Sequence, residues 1–198
     1  MSNKCYVVYK CFGHTKDVID LAQNLGKVDK SGLLIEDAVQ HLANTKNVKF
    51  ESSYLVGRIK EVELNLAERY VTIVMVTKWC EETDFRYFLQ SIYKNMKVYY
   101  LEEDFSEDLY YTNDLFFHYF PERYALLFSS GINMGLYYYK NLQELINGIE
   151  KLTGITYKKS INIDDVNKFI EEYNNDNEVN SDQYSGLELH ELTYSGEI

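Results

Sequence analysis

The chain's strongest constraint on its own folding lies in residues 70–104, YVTIVMVTKWCEETDFRYFLQSIYKNMKVYYLEED. The opening run, Tyr70–Trp79, is nearly apolar at both odd and even positions. A strand covered on both faces needs no alternation, so this run predicts a central strand. In the next stretch Phe85, Phe88, Leu89, Ile92 and Met96 fall on one helical stripe, with acids at its start and Lys94 and Lys97 near its end, as the helix dipole favours. KVYYLEE then returns to strand composition. Strand, helix and strand in succession require a sheet with a helix packed on it.

The flanking sequence extends this unit. KCYVVYKCF is a strand, ended by Gly13. Val18, Leu21, Ala22 and Leu25 recur at helical spacing between Thr15 as N-cap and Gly26 as stop. SGLLIEDAVQHLAN predicts a short second helix capped by Ser31. GRIKEVELNL alternates, with Val62, Leu64 and Leu66 on one side and Glu61, Glu63 and Asn65 on the other. DLYYTND, RYALLFSS and GLYYYK are further strands, and SSGINMG turns one strand into the next. NLQELINGIEKLTG is an amphipathic helix stopped by Gly154. NIDDVNKFIEEYN is a last helix, capped by Asn162 or Asp164. With a helical insertion near 28–47 set aside, the core order is β-α-β-β-α-β. The expected class is α+β, with a ferredoxin-like split βαβ core. Its antiparallel sheet has helices on one face and the other face open. The expected division is residues 1–159 as this domain and 160–198 as an acidic C-terminal helix and tail.

Charge is unevenly spread. The net formal charge is −11, but residues 160–198 hold ten acids against one base, Lys168, which leaves residues 1–159 at −2. Such asymmetry marks either an interaction segment or a solubilising tail. As an interaction segment its contact residues are Asp164, Asp165, Glu171, Glu172, Asp176, Glu178, Asp182 and Tyr184, and the partner they fit is a basic protein. The three cysteines, Cys5, Cys11 and Cys80, have no paired spacing. On one strand, Cys5 and Cys11 stand roughly 20 Å apart on the same face, beyond disulfide reach. A reduced, cytoplasmic protein is expected, and no apolar run is long enough to span a bilayer as a helix.

Glu102, Glu103, Asp104, Glu107, Asp108, Asp114 and His118 make the densest polar cluster of the body. Carboxylates at a strand end can hold Mg²⁺ for phosphodiester hydrolysis, and Asp104, Asp114 and His118 are the candidate ligands. The alternative is a solvated acidic loop, and the spacing matches no EF-hand. Trp79 either stacks on a ligand or packs on the helix it precedes. No histidine or cysteine pair has metal-ligand spacing, and no cofactor motif occurs, so no cofactor is expected. Cys80 is a nucleophile only if a histidine approaches it. Arg58, Lys60, Lys94, Lys97, Lys158 and Lys159 are scattered. Tyr6, Val8, Tyr99 and Tyr100 suggest a base-stacking sheet face, but the RNA-recognition pattern is missing and the acidic tail opposes direct nucleic-acid binding.

GRIKEV at 57–62, VTKW at 76–79, and YYLEED through YYTND at 99–114 together resemble the YubB-like (Api92-like) proteins of plasmids and phages, over roughly residues 54–128. The resemblance implies a ferredoxin-like domain and a home on mobile elements, and no activity or functional residues. Three expectations follow. The first is a non-enzymatic interaction protein that binds, and on a mobile element inhibits, a basic host factor. The second is a metal-dependent phosphodiesterase at the 102–118 cluster. The third is a homo-oligomer that buries its tyrosines.

Overall fold

The computed structural model describes residues 4–26, 31–50, 55–78, 82–104, 109–131, 133–177 and 185–194. The protein is α+β. Its chain order is β1 (Lys4–Phe12), α1 (Thr15–Leu25), β2 (Leu33–Leu34), α2 (Ile35–Lys46), β3 (Gly57–Asn65), β4 (Tyr70–Lys78), α3 (Thr83–Ile92), β5 (Lys97–Asp104), β6 (Leu109–Thr112), β7 (Tyr124–Ser130), β8 (Asn133–Tyr139), α4 (Leu142–Thr153), α5 (Ile163–Asn177), β9 (Ser185–Glu191) and β10 (Thr193–Tyr194). Two compact units form, Met1–Tyr119 with Tyr194–Ile198, and Phe120–Thr193. The boundary expected at 159/160 falls inside the second unit, between α4 and α5.

The first unit is built on a seven-stranded sheet in the order β10-β6-β5-β1-β4-β3-β2. The ladders β1·β4, β1·β5, β2·β3, β3·β4 and β5·β6 are antiparallel. The apolar run at 70–78 is interior, as expected, between β1 and β3. Alternation sorts the side chains. Cys5, Val7, Tyr9 and Cys11 of β1, with Val71, Ile73 and Met75 of β4, are buried under Val18, Leu21 and Leu25 of α1, Ile35, Val39 and Leu42 of α2, and Phe85 and Leu89 of α3. Three helices therefore cover this face. Asp20 ties them together: its carboxylate accepts from Lys46 at 2.5 Å and from the Tyr93 hydroxyl at 2.5 Å. Burial alone would raise the Asp20 carboxyl, but the bonds from Lys46 and Tyr93 and the charge of Lys46 outweigh it and hold it below its ordinary value. Two helix starts differ from expectation. Thr15 is the first helical residue after an N-cap at His14, and the second helix starts after Leu34, not Ser31.

The second unit has a three-stranded antiparallel sheet, β8-β7-β9, and α4 and α5 share its core. Asn141 caps α4: its Oδ1 accepts from Glu144 N at 2.9 Å, and Glu144 Oε2 reaches back past the cap to accept from Lys140 N at 3.1 Å, a variant of the capping box shifted by one residue. Asn162 caps α5, accepting from Asp165 N at 2.8 Å. Gly148 sits mid-helix in α4, where glycine costs about 1 kcal/mol relative to alanine. A Cβ there would fall on the Tyr139 ring, so the helix gives up propensity for strand–helix contact.

The residues beyond 159 are not only a tail. Val166, Phe169, Ile170 and Tyr173 of α5 and Leu187 of β9 are core residues of this unit. Strand β9 pairs with β7 from Tyr124↔Glu191 to Ser130↔Ser185. The Asn174 side chain, on α5, donates to Leu187 O and accepts from Leu187 N, both at 2.8 Å. It thus occupies one backbone position on the side of β9 away from β7.

Candidate functional site

Helix α5 turns Val166, Phe169, Ile170 and Tyr173 inward, so the residues between them face solvent. Asp164, Glu171, Glu172 and Asp176 are exposed there. Asp165 is committed to the N-terminal cap. A bond from Asn162, with one from Ser160 and the charges of Lys168 and Lys159, holds its carboxyl below the usual range. Glu172 meets Lys159 at 2.7 Å. Acids in the first turn complement the helix dipole. Glu171 and Glu172 lie further along, and Asp176 stands in the last turn, where the dipole disfavours an acid and no base is present. Glu178, Asp182 and Tyr184 lie outside the described residues.

The expected metal ligands have separate surroundings. Asp104 is 1% exposed on β5. Asp114 follows β6, and its Oδ2 accepts from Tyr119 N at 2.6 Å, which closes the 114–119 loop. His118 is exposed and meets the Tyr119 ring edge-on, centroids 4.7 Å apart. Among the described residues no three His, Cys, Asp or Glu side chains come together to hold a metal ion. Glu107, Asp108, Trp79 and Cys80 lie outside the described residues.

The thiols of Cys5 and Cys11 are buried and free. Burial, then the charges of Glu102 and Asp104, pushes the Cys5 thiol up to about 12. Burial alone raises Cys11. Neither is a thiolate at neutral pH, so neither is a nucleophile. In a Cys80→Ser variant the native protein should leave a thiol reagent unconsumed until denaturant is added. Stoichiometric labelling without denaturant would contradict this burial.

The face of the large sheet opposite the helices carries Tyr6, Val8, Lys10 and Phe12 of β1 and Tyr99 of β5. Tyr100 belongs to the helix-covered face, 6.4 Å from Tyr9. Toward one end of the open face Tyr119 lies on Phe12 and Tyr99, centroids 4.1 and 4.4 Å apart, and Lys10 Nζ donates to Tyr119 O at 2.7 Å. The loop that brings Tyr119 there exposes Leu115 (45%) and Phe116 (82%), with Phe117 at a left-handed φ of 49°. Sequence reasoning did not single out this presented pair. The signal for it is LFFHYF directly after Asn-Asp, an apolar run too aromatic for a solvated loop and lacking strand alternation.

At the other end of the open face is a cavity of about 490 Å³. Its lining includes Lys4, Tyr6, Leu34, Arg58, Lys60 and Lys78. No helix among the described residues is long and apolar enough to cross a membrane. No family model, curated protein or solved structure matches the chain.

Proposed function

We propose that this is a non-enzymatic binding protein whose acidic α5 face engages a basic protein. The observation that carries the reading is the placement of Glu171, Glu172 and Asp176. All three are exposed on a helix whose inner face is fixed in a core, and Asp176 stands in the last turn, where the dipole disfavours an acid. Acids clustered on a rigid element, Glu172 already meeting the Lys159 ammonium, make a pre-organised surface for cations. The exposed Leu115–Phe116 pair is a separate apolar patch, and its phenylalanine is of a type enriched at the cores of protein contacts.

The first unit reads as ferredoxin-like. The chain order β1-α1-β3-β4-α3-β5 and the sheet order β5-β1-β4-β3 support that reading, with β2 and α2 as the insertion. An origin on a plasmid or phage, and inhibition of a host nucleic-acid-handling or defence factor, belong to the same proposal. An acidic face can occupy a groove that otherwise takes phosphate.

Deleting everything after Lys159 would remove core residues along with the charge, so the clean test is local. The E171Q/E172Q/D176N variant should fold like the wild type. It should bind a basic partner captured by the wild type about tenfold or more weakly, with the loss concentrated at low salt. Undiminished capture by the triple variant would remove α5 from the interface.

A further inference from the structure

Antiparallel register brings together cations that are far apart in sequence. Lys4 and Lys78 are direct partners across β1 and β4. In the next row Arg58 of β3 faces Val76, and Val76 faces Tyr6. The register shift between Ile59 and Glu61 leaves Lys60 as the extra residue of a bulge, a device that re-aims a side chain. All four cations line the 490 Å³ cavity. This happens on a chain of net charge −11, and it includes a like-charge pair placed directly opposite, which a ladder disfavours. Arg58 Nη1 donates to Gly32 O at 2.9 Å and Lys60 Nζ to Ser31 O at 3.2 Å. Both acceptors are neutral carbonyls, so these bonds orient the two heads without cancelling their charge. Two acids flank residues of the lining. Glu103 stands across the ladder from Tyr6, and Glu82 Oε1 accepts from Val56 N at 3.1 Å.

Apart from Thr77, the rest of the lining is apolar or aromatic. Tyr6 is 47% exposed and Leu34 42%, and Val76 lies between the charged positions. An aromatic ring on an open strand beside several cations suits a ligand with both a phosphate and a flat ring. The volume lies within the range of small-molecule sites. We propose that this cavity binds a nucleoside phosphate, with the phosphate held among Lys4, Arg58, Lys60 and Lys78 and the base against Tyr6. The site belongs to the first unit and is independent of the acidic face of α5. The same chemistry is offered by a free mononucleotide and by a nucleotide within a single strand.

Calorimetry on the full chain at low salt, with inorganic phosphate, AMP and a short oligouridylate as separate probes, tests the proposal. AMP should bind more tightly than phosphate. K4Q and R58Q, both exposed positions, should each weaken AMP and oligouridylate by about tenfold, the scale of one charged hydrogen bond. Tyr6→Ala should weaken AMP and leave phosphate unchanged. Oligouridylate tighter than AMP with a steep salt slope identifies a strand as the source, whereas equal affinity identifies a free nucleotide. No binding of AMP or oligouridylate, or binding that K4Q and R58Q leave intact, overturns the proposal. Neither result bears on partner capture by α5.

Discussion

Replacing Arg86 by methionine should cost the first unit about 3–5 kcal/mol, the scale for removing one member of a buried charge system. Arg86 is fully buried on α3. Its guanidinium lies 5.3 Å from the Tyr100 ring centroid and 4.8 Å from that of Tyr87. Glu102 and Asp104 follow Tyr100 at every second position of β5, on the same face, and are 6% and 1% exposed. Their charge is felt in that layer, because both raise the Cys5 thiol. Arg86 is the only buried cation among the described residues. Without it the layer that holds the two carboxylates loses its one described buried cation, in a medium that solvates charge poorly. Arg86→Lys should fall between wild type and R86M, because it keeps the charge and loses the planar contact with the rings. Adding E102Q and D104N to R86M should recover much of the loss. Denaturant midpoints measure all of these, and R86M within about 1 kcal/mol of wild type would refute the charge argument.

This buried charge is also where the sequence is least readable. Arg86 falls within an amphipathic helical pattern whose apolar stripe omits it, and Glu102 and Asp104 look like part of a solvated acidic run. Strand β5 pairs with β1 on one side and β6 on the other, and α3 packs over it, so alternate acids are forced inside. Periodicity was sufficient for α3, α4 and α5, because each buries one apolar stripe at helical spacing; β4 was legible from its apolar run, although only its alternate residues Val71, Ile73, Met75 and Thr77 are buried and not both faces as that run suggested. Periodicity failed for β9. GLELHE offers only Leu187 and Leu189 to a core, and it is a strand because β7 supplies the ladder. Convergence of Lys4, Arg58, Lys60 and Lys78 needs the strand register, which spacing along one chain does not contain. The unit boundary had one local marker, the single proline, Pro121, one residue past Phe120. The charge step at 160 pointed elsewhere, because surface charge reports on solvent exposure and not on which core a helix joins.

Asn113→Ala should destabilise the first unit by about 2–4 kcal/mol, the cost of leaving two buried backbone groups without partners. Strand β6 pairs with β5 only from Leu101↔Thr112 to Asp104↔Leu109. Beyond Thr112 the edge of β5 continues without a strand beside it, and side chains take over. Asn113 Oδ1 accepts from Tyr100 N at 2.8 Å, and its Nδ2 donates to Val98 O at 3.0 Å. Thr112 Oγ1 donates to Tyr100 O at 2.6 Å. Asn113 is fully buried, so water cannot replace its amide cheaply. One asparagine thereby supplies the donor and acceptor of a missing strand residue, as Asn174 does for β9. Asn113→Asp should be at least as damaging, because it sets a carboxylate oxygen against the Val98 carbonyl. Amide exchange locates the effect: in N113A the Tyr100 amide should lose protection before the β1·β4 ladder does. Retained protection at Tyr100 would mean that another group holds this edge, and the Asn-Asp pair of YYTND would then need a role other than finishing the sheet.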